Sequence, residues 1–181
     1  TSTPSAPIIW DKKNNKGKVK ALVVNAGNAN AHTGKDGLKI IDNYVKALTI
    51  KIRCQTNEVL VSSTGVIGEK FNPNLIINKF EKLNSKNKNS LVESAKSIMT
   101  TDTFPKVSIK NINLENQSFN IYGIAKGSGM IQPNMGTMLA YIFIECEISN
   151  KLMSRLLKNN LDNTFNSITV DSDTSTSDTL M

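Results

Sequence analysis

Apolar residues in this chain fall in short runs separated by polar, glycine-bearing segments. The run over 19–25 (VKALVVN) predicts a buried strand. Leu38, Ile41, Tyr44, Val45 and Leu48 then recur at helical spacing and predict a helix over 36–52. A second apolar run over 58–63 (EVLVSS) predicts another buried strand, ending in a glycine-containing turn at 64–68. Pro73 is suited to the first position of a helix whose apolar face carries Leu75, Ile76, Ile77, Phe80 and Leu83. After a polar break, a helix is expected over 90–99. Alternation over 106–114, with a slip near Asn111, joins the segment 119–124 as a β-hairpin across Glu115-Asn116-Gln117. The segment 137–148 (TMLAYIFIECEI) is the strongest strand signal; a helix over 150–161 and a short strand over 167–170 follow. The tail 171–178 is small and polar. No repeat and no clear linker interrupts the pattern, which reads as one mixed α/β unit over 1–181.

Composition narrows the classes. With 181 residues and 39% hydrophobic positions, the chain can bury an ordinary core. No apolar run reaches the length of about 18 residues that a membrane span requires, and no secretory signal pattern is present. The first residue is Thr1, so a processed or partial chain is expected. Cys54 and Cys146 fit no zinc or redox spacing and read as reduced thiols of a cytoplasmic protein. His32, the sole histidine, reads as a turn residue, and a multi-histidine metal site is excluded within the chain. The net charge of +7 comes from lysines scattered among asparagines without interleaved aromatic residues, which argues against nucleic acid as a partner.

Two glycine-bearing turns are expected at strand ends, Thr64-Gly65 and Lys126-Gly127-Ser128-Gly129. Backbone N–H groups in such turns can hold an oxyanion or a carboxylate, although ordinary turns have the same composition. The order required of a phosphate-binding P-loop is absent. Gly136-Thr137 stands directly before the strongest strand. A threonine there could attack the preceding carbonyl, shift the acyl group from N to O, and leave a new N-terminal threonine once water cleaves the ester. Its hydroxyl would then be a nucleophile and its α-amine, with a pKa of about 7.7–8.0, the base. A plain strand start fits the same residues. Asp102, Asp171, Asn25, Asn28 and Asn30 read as caps of helices or turns, and Met130, Met135 and Met138 as core fillers.

Several long motifs together resemble the ornithine acetyltransferase family, the bifunctional glutamate N-acetyltransferases. They include Ala21-Leu22-Val23-Val24-Asn25-Ala26-Gly27-Asn28-Ala29-Asn30-Ala31 and Val61-Ser62-Ser63-Thr64-Gly65-Val66-Ile67-Gly68. Thr100-Thr101-Asp102-Thr103-Phe104-Pro105-Lys106, Gly123-Ile124-Ala125-Lys126-Gly127-Ser128-Gly129 and Pro133-Asn134-Met135-Gly136-Thr137-Met138-Leu139-Ala140 continue the match. Asp173-Thr174-Ser175-Thr176 closes it. The resemblance implies a layered α-β-β-α sandwich of the self-processing aminopeptidase and ornithine acetyltransferase kind, here truncated. It implies cleavage between Gly136 and Thr137, so that 1–136 belongs to an α-chain and 137–181 begins a β-chain. Thr137 would be the nucleophile, Thr64 and Gly65 the oxyanion hole, and Thr100 and Lys126 substrate-binding residues. The substrates would be N-acetylornithine and glutamate, in arginine biosynthesis, with no cofactor. No separate CoA motif is present, and acetyl-CoA stays open as a second donor. Partners would be further copies, two α- and two β-chains in a heterotetramer. The chain departs from the family pattern at Gly136, usually Ala, and at Ser172 and Ser177, usually Gly and Asn; a substrate-binding Glu and the C-terminal substrate residues have no counterpart within it. The competing readings are a self-processing aminopeptidase of the same general fold, a non-catalytic basic binding domain, and a fragment that never cleaves.

Overall fold

The structure, a computed structural model, describes residues 2–82, 90–131 and 138–181. The chain forms two compact units, Thr1–Ser90 and Leu91–Met181, and its mixed α/β character is as the periodicities predict.

In the first unit, strands β1 (Ala21–Asn28) and β2 (Val59–Val66) pair in parallel, with Ala21 opposite Val59 and Gly27 opposite Gly65. Parallel neighbours need a long crossover, which helix α2 (Gly34–Ile52) supplies. The predicted apolar stripe of α2 is its buried face. Ile40, Ile41, Tyr44, Val45 and Leu48 pack with Val59, Val61 and Phe80. Each such aliphatic side chain contributes about 1.5–3 kcal/mol of burial energy.

Helix α1 (Ala6–Asn14) is absent from the sequence reading, because its polar C-terminal end, Asp11-Lys12-Lys13-Asn14, carries no helical stripe. Tertiary contacts hold it instead. Trp10 Nε1 donates to the Val59 carbonyl at 3.3 Å, and Asp11 Oδ1 accepts the Val61 N–H at 2.9 Å. Both strands also run further than their apolar runs, so Thr64-Gly65 lies within β2 and not in a turn. Ladder pairing with Ala26 and Gly27 extends the strand. Pro73 occupies the N-cap of α3 (Asn74–Phe80), one position earlier than expected, and Leu83 lies outside the described residues.

Helix α4 (Ser90–Ser97) leads into the second unit, a four-stranded sheet in the order β3-β4-β5-β6. Strands β3 (Lys106–Leu114) and β4 (Gln117–Lys126) form the expected hairpin, closed by Glu115 and Asn116 with Leu114 opposite Gln117. Their register is unbroken through Asn111, opposite Asn120, so the slip is not a bulge. The apolar positions simply change faces there, from Val107 and Ile109 to Ile112 and Leu114, a consequence of the two-residue period. Asn111 Nδ2 meets Asn120 Oδ1 at 3.0 Å across the hairpin.

Strand β5 (Leu139–Ile144) is antiparallel to β4 and ends earlier than its composition suggests. The Glu145 N–H still donates to the Asn120 carbonyl at 3.1 Å, while its carboxylate accepts the Asn120 N–H at 3.1 Å and the Tyr122 hydroxyl at 2.7 Å in place of further ladder bonds. Helix α5 (Asn150–Leu161) matches its prediction and is N-capped by Ser149 Oγ, which accepts the Leu152 N–H at 3.3 Å. The strand expected over 167–170 does not form. A 3₁₀ turn spans Phe165–Ser167, and Val170 makes a single backbone bond to Ile131. The residues just after the polar tail instead supply β6 (Thr179–Leu180), parallel to β5. Among the described residues, no helix is long and apolar enough to cross a membrane.

Candidate active site

Lys126 is the last residue of β4 and is only 3% exposed. Strand alternation turns its side chain inward, as it turns Ile124. Its Nζ donates to Thr100 Oγ1 at 3.0 Å, so two of the sequence-predicted substrate residues meet, 26 positions apart. Burial lowers the Lys126 pKa; the charges of Asp102 and Asp178 oppose that shift, and the Lys106 charge adds to it.

Asp102, read from sequence as a cap, organises this corner. Its Oδ1 accepts the Gly127 N–H at 2.8 Å and pairs with Lys106 Nζ at 2.5 Å, and its Oδ2 accepts the Thr100 N–H at 3.4 Å. Burial alone would raise its pKa, but Lys106 and the two backbone donors outweigh burial and hold the carboxyl below its ordinary value. Asp102 thus ties together the two segments that carry Thr100 and Lys126. Thr101 Oγ1 and Ser128 Oγ, 2.7 Å apart, add a second tie between the same segments.

Thr64 and Gly65 stand in the first unit, at the end of β2. Thr64 is buried and Gly65 exposed. Gly65 has φ +128°, and a Cβ added there would strike the backbone of Gly27 and Asn28. Only glycine fits this close approach of two strands. The neighbouring asparagines do bond turns and strand ends, as their sequence pattern indicates. Asn25 accepts from Ser63 Oγ at 2.6 Å and donates to the Asn28 carbonyl at 2.8 Å. The fully buried Asn30 donates to the Gly37 carbonyl and accepts from Thr33 Oγ1. His32 is exposed in a bend with φ 57°, a turn residue as read.

Gly136 and Thr137 lie outside the described residues, as does Met135. Their assignment rests on the sequence. Asp178 is the neighbour that sequence reasoning missed. It accepts the Met138 N–H at 3.0 Å, and burial pushes its pKa up to about 6. Nothing in a run of small polar residues marks one aspartate as the partner of an amide 40 positions away. The sheet face of the second unit also bears an open cavity of about 510 Å³ near Phe104, Val107 and Ile142. Neither Thr100 nor Lys126 lines it, so it is separate from the buried lysine.

The ArgJ family model matches residues 1–181. The chain is 42% identical over 180 residues to the arginine biosynthesis bifunctional protein ArgJ of Bartonella henselae, and 45% identical over 184 residues to that of Brucella suis. Each alignment covers 98% of this chain and 44% of the relative, so the chain spans less than half the length of these proteins. It is also similar to the crystal structure of an arginine biosynthesis bifunctional protein from Bacillus halodurans. That likeness has a TM-score of 0.69 at 32% identity and covers 75% of this chain and 73% of the other. The chain belongs to the ArgJ family.

Proposed function

We propose that the full-length protein is a glutamate N-acetyltransferase of arginine biosynthesis, moving acetyl from N-acetylornithine to glutamate through an acetyl-Thr137 intermediate. The observation that carries this reading is the buried Lys126 ammonium on Thr100, held in a family-matching frame by Asp102. Both substrates carry an α-carboxylate beside the nitrogen that loses or gains acetyl. A fixed ammonium is a common handle for that carboxylate, strengthened by its low-dielectric surroundings.

In the proposed cycle, Gly136-Thr137 is first cleaved by an N-to-O acyl shift, and one water hydrolyses the resulting ester. Thr137 Oγ then attacks the acetyl carbonyl carbon while its α-amine takes the hydroxyl proton. Thr64 and Gly65 stabilise the oxyanion; loss of one such donor typically costs about 10²–10³ in rate. The C–N bond breaks, ornithine leaves with the transferred proton, and the acetyl group stays on Oγ. The glutamate amine attacks that ester, the C–Oγ bond breaks, and Oγ recovers a proton. We assign acetyl-CoA as a second donor to be assayed, the cleaved protein to two α- and two β-chains, and the reaction to the cytoplasm.

Intact mass of the full-length protein tests the reading. Two fragments are expected, the second beginning at Thr137, and Thr137→Ala should stay whole. With N-acetylornithine and glutamate, initial rates should give the parallel lines of ping-pong kinetics. An uncut full-length protein, or amide hydrolysis without transfer, would refute it.

A further inference from the structure

The residues on either side of 132–137 are both held by one later segment. On the near side, the Met130 and Ile131 N–H groups donate to Asp171 Oδ2 and Oδ1 at 2.6 and 2.9 Å. The Ile131 carbonyl accepts from the Val170 N–H at 2.9 Å and from Thr169 Oγ1 at 3.2 Å. On the far side, the Met138 N–H donates to Asp178 Oδ1 at 3.0 Å, and its carbonyl accepts the Thr179 N–H at 3.0 Å. Every one of these bonds spans about 40 positions of chain. Asp171 also accepts its own neighbour Asp173 at 3.3 Å, so its cap role is the minor part of what it does.

We propose that Asp171 and Asp178 are positioning residues for self-cleavage, which hold Met130, Ile131 and Met138 on the two sides of 132–137. The proposal rests on the reading of Thr137 as the cleaved nucleophile. Residues 169–179 lie on the C-terminal side of that bond in sequence, with Met138, whereas Met130 and Ile131 lie on the N-terminal side. The Asp171 half therefore crosses the cut, and it keeps Met130 and Ile131 of the first fragment bonded to the second once the covalent link is gone. The Asp178 half grips the amide next to the new N-terminal residue.

The chemistry of the two carboxylates suits this work. Donation from Met130 and Ile131 holds Asp171 below the usual carboxylate pKa, so it is a charged acceptor across the neutral range. Asp178 is raised by burial and lowered in turn by the Met138 N–H and by the charge of Lys126. A holding role of this kind fixes geometry before reaction, where a small displacement is costly.

The test is the rate of self-cleavage in the full-length protein, followed by intact mass after release from a denatured or inhibited state. Asp178→Ala should slow scission at least about tenfold. Asp178→Asn keeps an oxygen that accepts the Met138 N–H and should recover to within about threefold of wild type, a rescue that general destabilisation does not produce. Asp171→Ala should also slow scission, and amide exchange in wild type should show Met130, Ile131 and Met138 slow both before and after the cut. Wild-type scission rates in both alanine variants would overturn this role while leaving Thr137 in place. Should the alanine variants not fold, fast exchange at these three amides in wild type overturns it instead. A wild-type protein that is never cut overturns the Thr137 reading itself.

Discussion

Lys126 Nζ lies 3.0 Å from Thr100 Oγ1, and Asp102 accepts the backbone N–H groups of Thr100 and of Gly127, the residue after Lys126. In the full-length enzyme, Lys126→Met should raise KM for N-acetylornithine far more than it lowers kcat, because the carboxylate handle is lost from ground and transition states alike. Thr100→Val removes one neutral acceptor and should cost about 0.5–1.5 kcal/mol in kcat/KM. Steady-state kinetics with varied N-acetylornithine separate the two effects. A fall in kcat alone in Lys126→Met would contradict a substrate-anchoring role.

Asp102 should be more costly to delete than to neutralise. Asp102→Ala strands the half-buried Gly127 amide and removes the carboxylate from Lys106, with an expected loss of about 1–3 kcal/mol. Asp102→Asn keeps an acceptor for Gly127 and should lose less. Because the folded carboxyl is held below its ordinary value, this stabilisation is full above the unfolded pKa of 3.8 and disappears as pH falls through the lower folded value. Denaturant midpoints of wild type and Asp102→Asn should converge in acid.

Asp11 should give the opposite pH signature. It is 9% exposed, and desolvation lifts its pKa from 3.8 to about 7 against the opposing bond from Val61. Between those values the folded state binds more protons than the unfolded state. Stability from this group is therefore greatest below about pH 4 and falls as pH rises through 7, by on the order of 4 kcal/mol. Asp178 titrates in the same window, so the informative quantity is the difference between wild type and Asp11→Asn. That difference should change between pH 4 and pH 8, and a constant offset would show that Asp11 is ionised at low pH.

Gly65 and Gly27 face each other across the parallel pair but should not respond alike. Both have positive φ, +128° and +108°, so alanine at either site costs about 1–3 kcal/mol of backbone strain. A Cβ at Gly27 meets nothing within 4 Å, whereas one at Gly65 meets the Gly27 backbone. Gly65→Ala should therefore lower the melting temperature more than Gly27→Ala. Equal melting temperatures would mean that the strands can separate at no cost.

Helix α2 was readable because its stripe, Ile41, Tyr44, Val45 and Leu48, is written within 19 consecutive residues and buried as one face. The β3–β4 hairpin and α5 were legible for the same reason, since their partners or caps are neighbours in sequence. The motif around Lys126 and Thr100 could be named from resemblance. Their contact, and the part played by Asp102 between them, could not be derived from spacing. Helix α1 escaped notice because its hold on β2 is made by Trp10 and Asp11 to atoms about 50 positions away.

The local order of apolar and polar residues determined the mixed α/β class, the long helices and the central hairpin, because a period of two or 3.6 is a property of adjacent positions. Tertiary structure alone decided that β2 runs on through Thr64-Gly65, that 179–180 rather than 167–170 forms a strand, and that Asp171 and Asp178 reach back some 40 positions. Those outcomes follow from which backbone donors and acceptors remain to be satisfied once the chain has folded, a matter of spatial neighbours that no linear pattern encodes.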